Sequence, residues 1–357
     1  MPHRSRSLLI VLIAVAALAA ACAPSAKPAD LARAGTARAT SSGSPLDGIG
    51  YVPSTVPETA LRQRPADAPD LVIIAFSGHC GLVCDTRSTW SYLDHASEST
   101  GGVAVLDGIK TAYEHLGFGD IEIFGVSSFA TSHYSSISGK IEQGYLQAQA
   151  YLDEVKAAWI DGVADPTRVV LVGHSHGTVW ASLLAMNNLD VTFDSFVALD
   201  AICWMWWNKH KGFIKDTFVD GPWTIPFPLD NGDPCGTLTV PGQKQPMNIN
   251  DVVPANVIFG LEVRTSFRLF SLDPNVLADD DVNVRINGSS SNVWGITAQE
   301  SHSSLGNHYN RSISWVASML QALGVPDHGA YPMSSFVLPP PPAGFDYSQG
   351  ELVPATP

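Results

Sequence analysis

Apolar runs and apolar periods alternate along most of this chain. Leu71-Val-Ile-Ile-Ala-Phe76 is short and apolar throughout, which predicts a strand buried on both faces. From 103 to 116, apolar residues fall at 106, 109, 113 and 116, the spacing of an amphipathic helix that Gly117 ends. Residues 121–126 predict a second strand. Ile141, Tyr145, Ala148, Leu152, Val155 and Trp159 then recur at steps of three and four, one stripe of a long helix stopped by Gly162 and Pro166. An apolar run at 169–172, a helix-compatible run at 178–187 and a clean run at 193–199 follow, the last ending at Asp200. Strand and helix alternate, so the expectation is an α/β fold: a mostly parallel sheet with helices on both faces. Residues 256–263, 282–286 and 293–297 read as later strands, and 310–323 as a closing helix.

Two regions break the alternation. Between 202 and 250 lie Trp204, Trp206, Trp207, Phe213, Phe218, Trp223 and Phe227 among prolines and glycines. This reads as an aromatic-rich, cap-like insertion over the ligand cleft. Its aromatics either meet an acyl chain or fill a local core beneath the loop. Residues 336–357 read as a proline-rich, poorly ordered tail, which leaves 51–335 as the folded domain.

The N-terminus is a targeting segment. Arg4 and Arg6 precede an apolar stretch at 8–21, too short for a comfortable span, so 1–21 reads as a signal peptide. Ala19-Ala-Ala-Cys22 closes it. Small residues before a cysteine resemble a bacterial lipoprotein site with Cys22 lipidated; ordinary cleavage after Ala21 or Ala23 is the alternative. Residues 22–50, rich in Ala, Ser, Pro and Gly, form a flexible tether. The expected location is the cell envelope, lipid-anchored, or the medium.

Export changes the reading of the cysteines. Cys80, Cys84, Cys203 and Cys235 remain, and an oxidising compartment favours disulfides over a metal site, for which no paired Cys-x-x-Cys is present. Of three pairings the local one, Cys80–Cys84 with Cys203–Cys235, is preferred. A formal charge of −14 argues against nucleic acid or an anionic lipid surface as the main partner.

The chemistry gathers at Gly173-His-Ser-His-Gly177, set between a strand and a helix. In that context Gly-x-Ser-x-Gly is a nucleophile elbow: a sharp turn lifts the Ser175 hydroxyl above the sheet, and the glycines let strand and helix nearly touch. A serine needs a base, and the base an orienting acid. His302, between the last strand and the last helix, is the preferred base, with His308 the alternative. Asp200 is the preferred acid, with Asp273 and the run 279–281 the alternatives. The backbone N–H of His176 at a helix start, and Gly78 or His79 in Ser77-Gly-His-Cys-Gly81, are candidate oxyanion donors. The side chains of His174 and His176 are expected to point away from the serine, and they do not make a metal pair. No metal or cofactor is called for.

Gly173-His-Ser-His-Gly177, Ser77-Gly-His-Cys-Gly81 and Ser301-His-Ser-Ser-Leu305 together resemble an α/β hydrolase of the lipase and esterase kind, over about residues 70 to 325. The Asp200 strand end resembles those lipases whose acid follows the strand after the nucleophile. The resemblance implies the α/β-hydrolase fold, here without its first strands, and cleavage of carboxylic esters through a Ser-His-Asp triad. An ester or lipid-like small molecule is then the substrate. Acyltransferase or thioesterase chemistry, or a non-catalytic surface lipoprotein that binds ligands in the cleft, are the alternatives.

Overall fold

The computed structural model describes residues 61–78, 91–94, 103–128, 130, 143–203, 206–219, 233–265 and 283–323, and the backbone of 345–348 and 351–354. The signal peptide, the tether, Cys22, His79, Cys80, Cys84, Asp273 and 279–281 lie outside the described residues.

Six parallel strands form the body of the sheet: β1 (Leu71–Phe76), β2 (Ile121–Val126), β3 (Arg168–His174), β4 (Phe193–Leu199), β5 (Val257–Thr265) and β6 (Val293–Ala298). Two more, β7 (Phe345–Ser348) and β8 (Glu351–Pro354), complete an eight-stranded order β7-β8-β6-β5-β4-β3-β1-β2. Within this sheet, among the described residues, only β7 and β8 pair antiparallel. The helices are α1 (Val105–His115), α2 (Gln143–Val155), α3 (His176–Asn187), α4 (Trp206–Ile214), α5 (His302–Asn307) and α6 (Arg311–Leu323). This is a mostly parallel sheet flanked by helices.

Strand alternation divides the interior in two. Leu71, Ile73 and Ala75 of β1 pack with Val170, Val172, Val197, Leu199 and Leu261 beneath α1 and α6. Val72, Ile74 and Phe76 point the other way, with Val169, Leu171 and Phe196, under α2, α3 and α4. Both faces of β1 are therefore covered, which is why its sequence is apolar without alternation. Helix α3 is apolar on every side and buried from His176 to Met186, because it lies between the sheet and two further helices.

The structure differs from the sequence expectation in three places. Val284–Arg285 is a two-residue strand that pairs with Val252–Val253, not with the main sheet. The proline-rich 336–357 segment was not expected to contribute strands, yet β7 and β8 extend the sheet edge, β8 parallel to β6. Helix α2 continues as one π-helical turn, Lys156–Ile160, where a continuous α-helix was read. Of the insertion's aromatics, Trp206, Phe213 and Phe218 are buried against Tyr145 and Trp180, in the local-core role. The sulfurs of Cys203 and Cys235, the pair that brackets the insertion in the local pairing, are joined at 2.06 Å.

Candidate active site

Parallel register brings the carboxyl ends of β3, β4 and β5 side by side. His174 pairs with Leu199, and Leu199 with Val263. The ladder runs one step past the strands: Ser175 N–H donates to Leu199 O at 3.0 Å, and Asp200 N–H to Val263 O at 2.6 Å. Ser175 and Asp200 thus leave neighbouring strands at one level, where ligands bind in open α/β sheets.

Ser175 turns the chain from β3 into α3 at φ 59°, ψ −131°. A non-glycine residue is strained there by roughly 1–3 kcal/mol, and only a tightly packed turn holds it. The glycines explain the packing. A Cβ on Gly177 would lie 2.1 Å from Phe76 O, and one on Gly173 2.4 Å from Thr178 Cα. Ser175 also occupies the N-cap position, yet its hydroxyl makes no capping bond to the helix. An N-cap serine ordinarily would.

Asp200 is 2% exposed and also sits at positive φ, 48°. Its Oδ1 accepts from Thr265 N–H at 2.8 Å. Its Oδ2 accepts from Thr265 Oγ1–H at 3.0 Å and from His302 Nδ1 at 2.6 Å. With Nδ1 donating to the carboxylate, Nε2 of His302 is left as the basic nitrogen. The structure therefore brings together Asp200 and His302, and it sets His302 beside the residue that precedes Ser175, ring centroids 4.6 Å apart. His302 stands between β6 and α6, in a segment that is itself helical. It is the first residue of α5, whose N-cap Ser301 accepts from Ser304 N–H. His308, the alternative base, ends that helix. Among the described residues, its buried Nδ1 has no hydrogen-bond partner.

Gly78 directly faces the elbow. A Cβ there would lie 2.4 Å from Ser175 Cβ and 3.0 Å from its Oγ. Its N–H, however, donates to the Tyr92 hydroxyl at 2.7 Å, so it is not turned to an oxyanion as expected. His176 opens α3, which places its backbone N–H at a helix N-terminus.

Three more residues pack into this site, and two of them, Thr265 and Tyr92, carry no signal in the sequence. Thr265 ends β5 and fixes the acid. Tyr92 holds the Gly78 amide. His174, whose side chain is expected only to point away from the serine, stacks its ring on His302 and reaches Tyr92. Burial, with the charge of His302 next to it, lowers the His174 pKa to about 3, so the ring is neutral. Nothing periodic marks Tyr92 or Thr265, and the strand read at 256–263 stops two residues short of Thr265. Among the described residues, no cluster of three His, Cys, Asp or Glu side chains is placed to hold a metal ion.

No family model matches the chain, and no curated protein matches it. Solved structures do. The Vlm2 thioesterase domain, bound with a dodecadepsipeptide, is similar at 15% identity and a TM-score of 0.33, over 74% of this chain and 97% of its own. Est1E from Butyrivibrio proteoclasticus is similar at 12% identity and 0.32, over 72% and 89%. The esterase domain from a Rhodothermus marinus protein is similar at 13% and 0.31, over 73% and 89%. At that degree of likeness the fold and the site are read from the chain's own strand order and contacts.

Proposed function

We propose that this protein is a serine hydrolase that cleaves carboxylic esters through an acyl-enzyme. The observation that carries the reading is the 2.6 Å contact between His302 Nδ1 and Asp200, formed beside a serine held at positive φ on a strand-to-helix turn. That combination supplies what a serine hydroxyl lacks, a base already oriented by an acid.

Ser175 Oγ adds to the acyl carbon while its proton passes to His302 Nε2. The carbon–oxygen bond to the alcohol breaks, and the same proton goes to the departing oxygen. Water then adds to the acyl-serine and gives its proton to His302. The acid leaves as Ser175 Oγ takes that proton back. Asp200 orients the imidazole throughout. The His176 N–H supports the oxyanion at the helix start. Because the Gly78 N–H is engaged with Tyr92, the His79 N–H is the second donor in this reading. The substrate is an ester or lipid-like small molecule. A signal peptide at 1–21 and a lipid on Cys22 would place the enzyme at the cell envelope.

A fluorophosphonate probe should label Ser175, located by peptide mapping. Ser175→Ala should abolish both labelling and turnover of a short p-nitrophenyl ester. Undiminished turnover by that variant would overturn the reading.

A further inference from the structure

His174 precedes the elbow serine, and its ring is 4% exposed. Its Nε2 lies 2.8 Å from the backbone carbonyl of His302. A carbonyl only accepts, so Nε2 carries the hydrogen. In a neutral ring Nδ1 then holds a bare lone pair, and the Tyr92 hydroxyl that meets it must donate. The phenolic oxygen is thereby left to accept, and the Gly78 N–H donates to it. Every hydrogen in the chain has one direction: from Gly78 to Tyr92, from Tyr92 to His174, from His174 to His302.

Packing closes around these bonds. Tyr92 meets the His174 ring edge-on at 5.6 Å, and His302 stacks on it at 4.6 Å with 29° between planes. Helix α5 lies flush against the pair: a Cβ on Gly306 would sit 2.7 Å from Tyr92 Cε2 and 2.8 Å from His174 Nδ1. Gly78, at the other end, backs onto Ser175. The chain of bonds therefore spans both sides of the serine, the loop after β1 and the helix that carries His302.

We propose that His174 and Tyr92 are a positioning pair, which sets the main chain of His302 and the Gly78 loop at fixed distances from Ser175. The inference rests on Ser175 and His302 acting as nucleophile and base. Asp200 holds the rotation of the His302 ring, while His174 holds the backbone from which that ring hangs. Each constraint alone leaves Nε2 free to swing. A displacement of about 1 Å at a reacting group is enough to cost on the order of 10²-fold in rate. A neutral brace also suits the chemistry, because His302 becomes an imidazolium during each acyl transfer and a second positive ring stacked on it would oppose that charge.

The test uses the full chain, a short p-nitrophenyl ester and three variants assayed well below their unfolding midpoints. His174→Phe keeps a ring but removes both bonds. Tyr92→Phe removes one hydroxyl and carries the test if His174→Phe does not fold. His174→Gln can still donate to the His302 carbonyl and accept from Tyr92. Expected are a fall in kcat of roughly 10- to 100-fold at unchanged KM for the two Phe variants, with fluorophosphonate labelling of Ser175 slowed in parallel, and recovery of most of kcat in His174→Gln. A kcat within about twofold of the parent in both Phe variants, against the loss expected of a displaced base, would overturn the inference while leaving the hydrolase reading intact. So would a Gln variant no better than Phe. If the parent chain is neither labelled at Ser175 nor active, the hydrolase reading fails and this inference falls with it.

Discussion

Three donors converge on the two oxygens of Asp200: His302 Nδ1–H, Thr265 N–H and Thr265 Oγ1–H. Only an acceptor with no hydrogens of its own satisfies all three. Asparagine keeps the size of the side chain and tolerates the 48° φ at this position, so the backbone should survive the exchange. Its amide, however, turns at least one N–H toward a donor, and His302 is pushed to the wrong tautomer. Asp200→Asn should therefore lower kcat on the order of 10³- to 10⁴-fold with little change in KM. Steady-state kinetics would check this; an unaffected variant would move the acid role to Asp273 or 279–281. That a carboxylate stands at the end of β4 was legible, because a clean apolar run ends on Asp200. The need for Thr265 was not, since it arises only where β5 lies against β4.

At the scale of elements, two features hold the helices and the insertion at the sheet. Asn256 precedes β5, and its Nδ2 donates to the carbonyls of Ala185, Asn188 and Val191 at 3.0–3.1 Å, where α3 ends. The Ala185 and Asn188 carbonyls also accept from the Asn188 and Val191 N–H groups, so the Asn256 amide ties an existing turn to the strand that follows. Asn256→Ala removes the buried side-chain hydrogen bonds to this turn, so unfolding free energy should fall by about 1–3 kcal/mol. The midpoint of a urea titration would show this, and turnover of the p-nitrophenyl ester without urea should match that of the parent. The Cys203–Cys235 bond closes a loop with a separation of 32 residues, starting three residues after Asp200. By loop-closure entropy the Cys203→Ser, Cys235→Ser double variant should lose about 3–4 kcal/mol of stability. Equal urea midpoints for parent and variant would show that the crosslink constrains nothing. Most helix and strand positions could be read from their apolar period. The π-turn at 156–160 and the short helix α5 could not, because a single turn is too brief to display a period.

For the whole molecule, acid stability follows from one buried ring. His174 faces Tyr92, His302 and Asp200, and it remains neutral in the fold down to about pH 3, against 6.5 in the unfolded chain. Below about pH 6.5 the unfolded state takes up a proton that the folded state refuses. Stability from this group is complete above that value and declines toward pH 3, by at most about 1.4 kcal/mol per pH unit. Urea unfolding at pH 7.5, 6 and 5 should show the parent losing stability faster than His174→Gln, and parallel losses would refute it. The sequence by itself determined the order of strands and helices, the two-faced burial of the central strands and which polar residues stand at strand ends. Those properties are local, written in runs and periods a few residues long. Only the tertiary structure decided that His174 would turn toward His302, that Tyr92 would join them from 82 residues away, and that residues near the C-terminus would extend the sheet edge. These contacts depend on parallel register and on glycines that let backbones meet, and neither leaves a period in the chain.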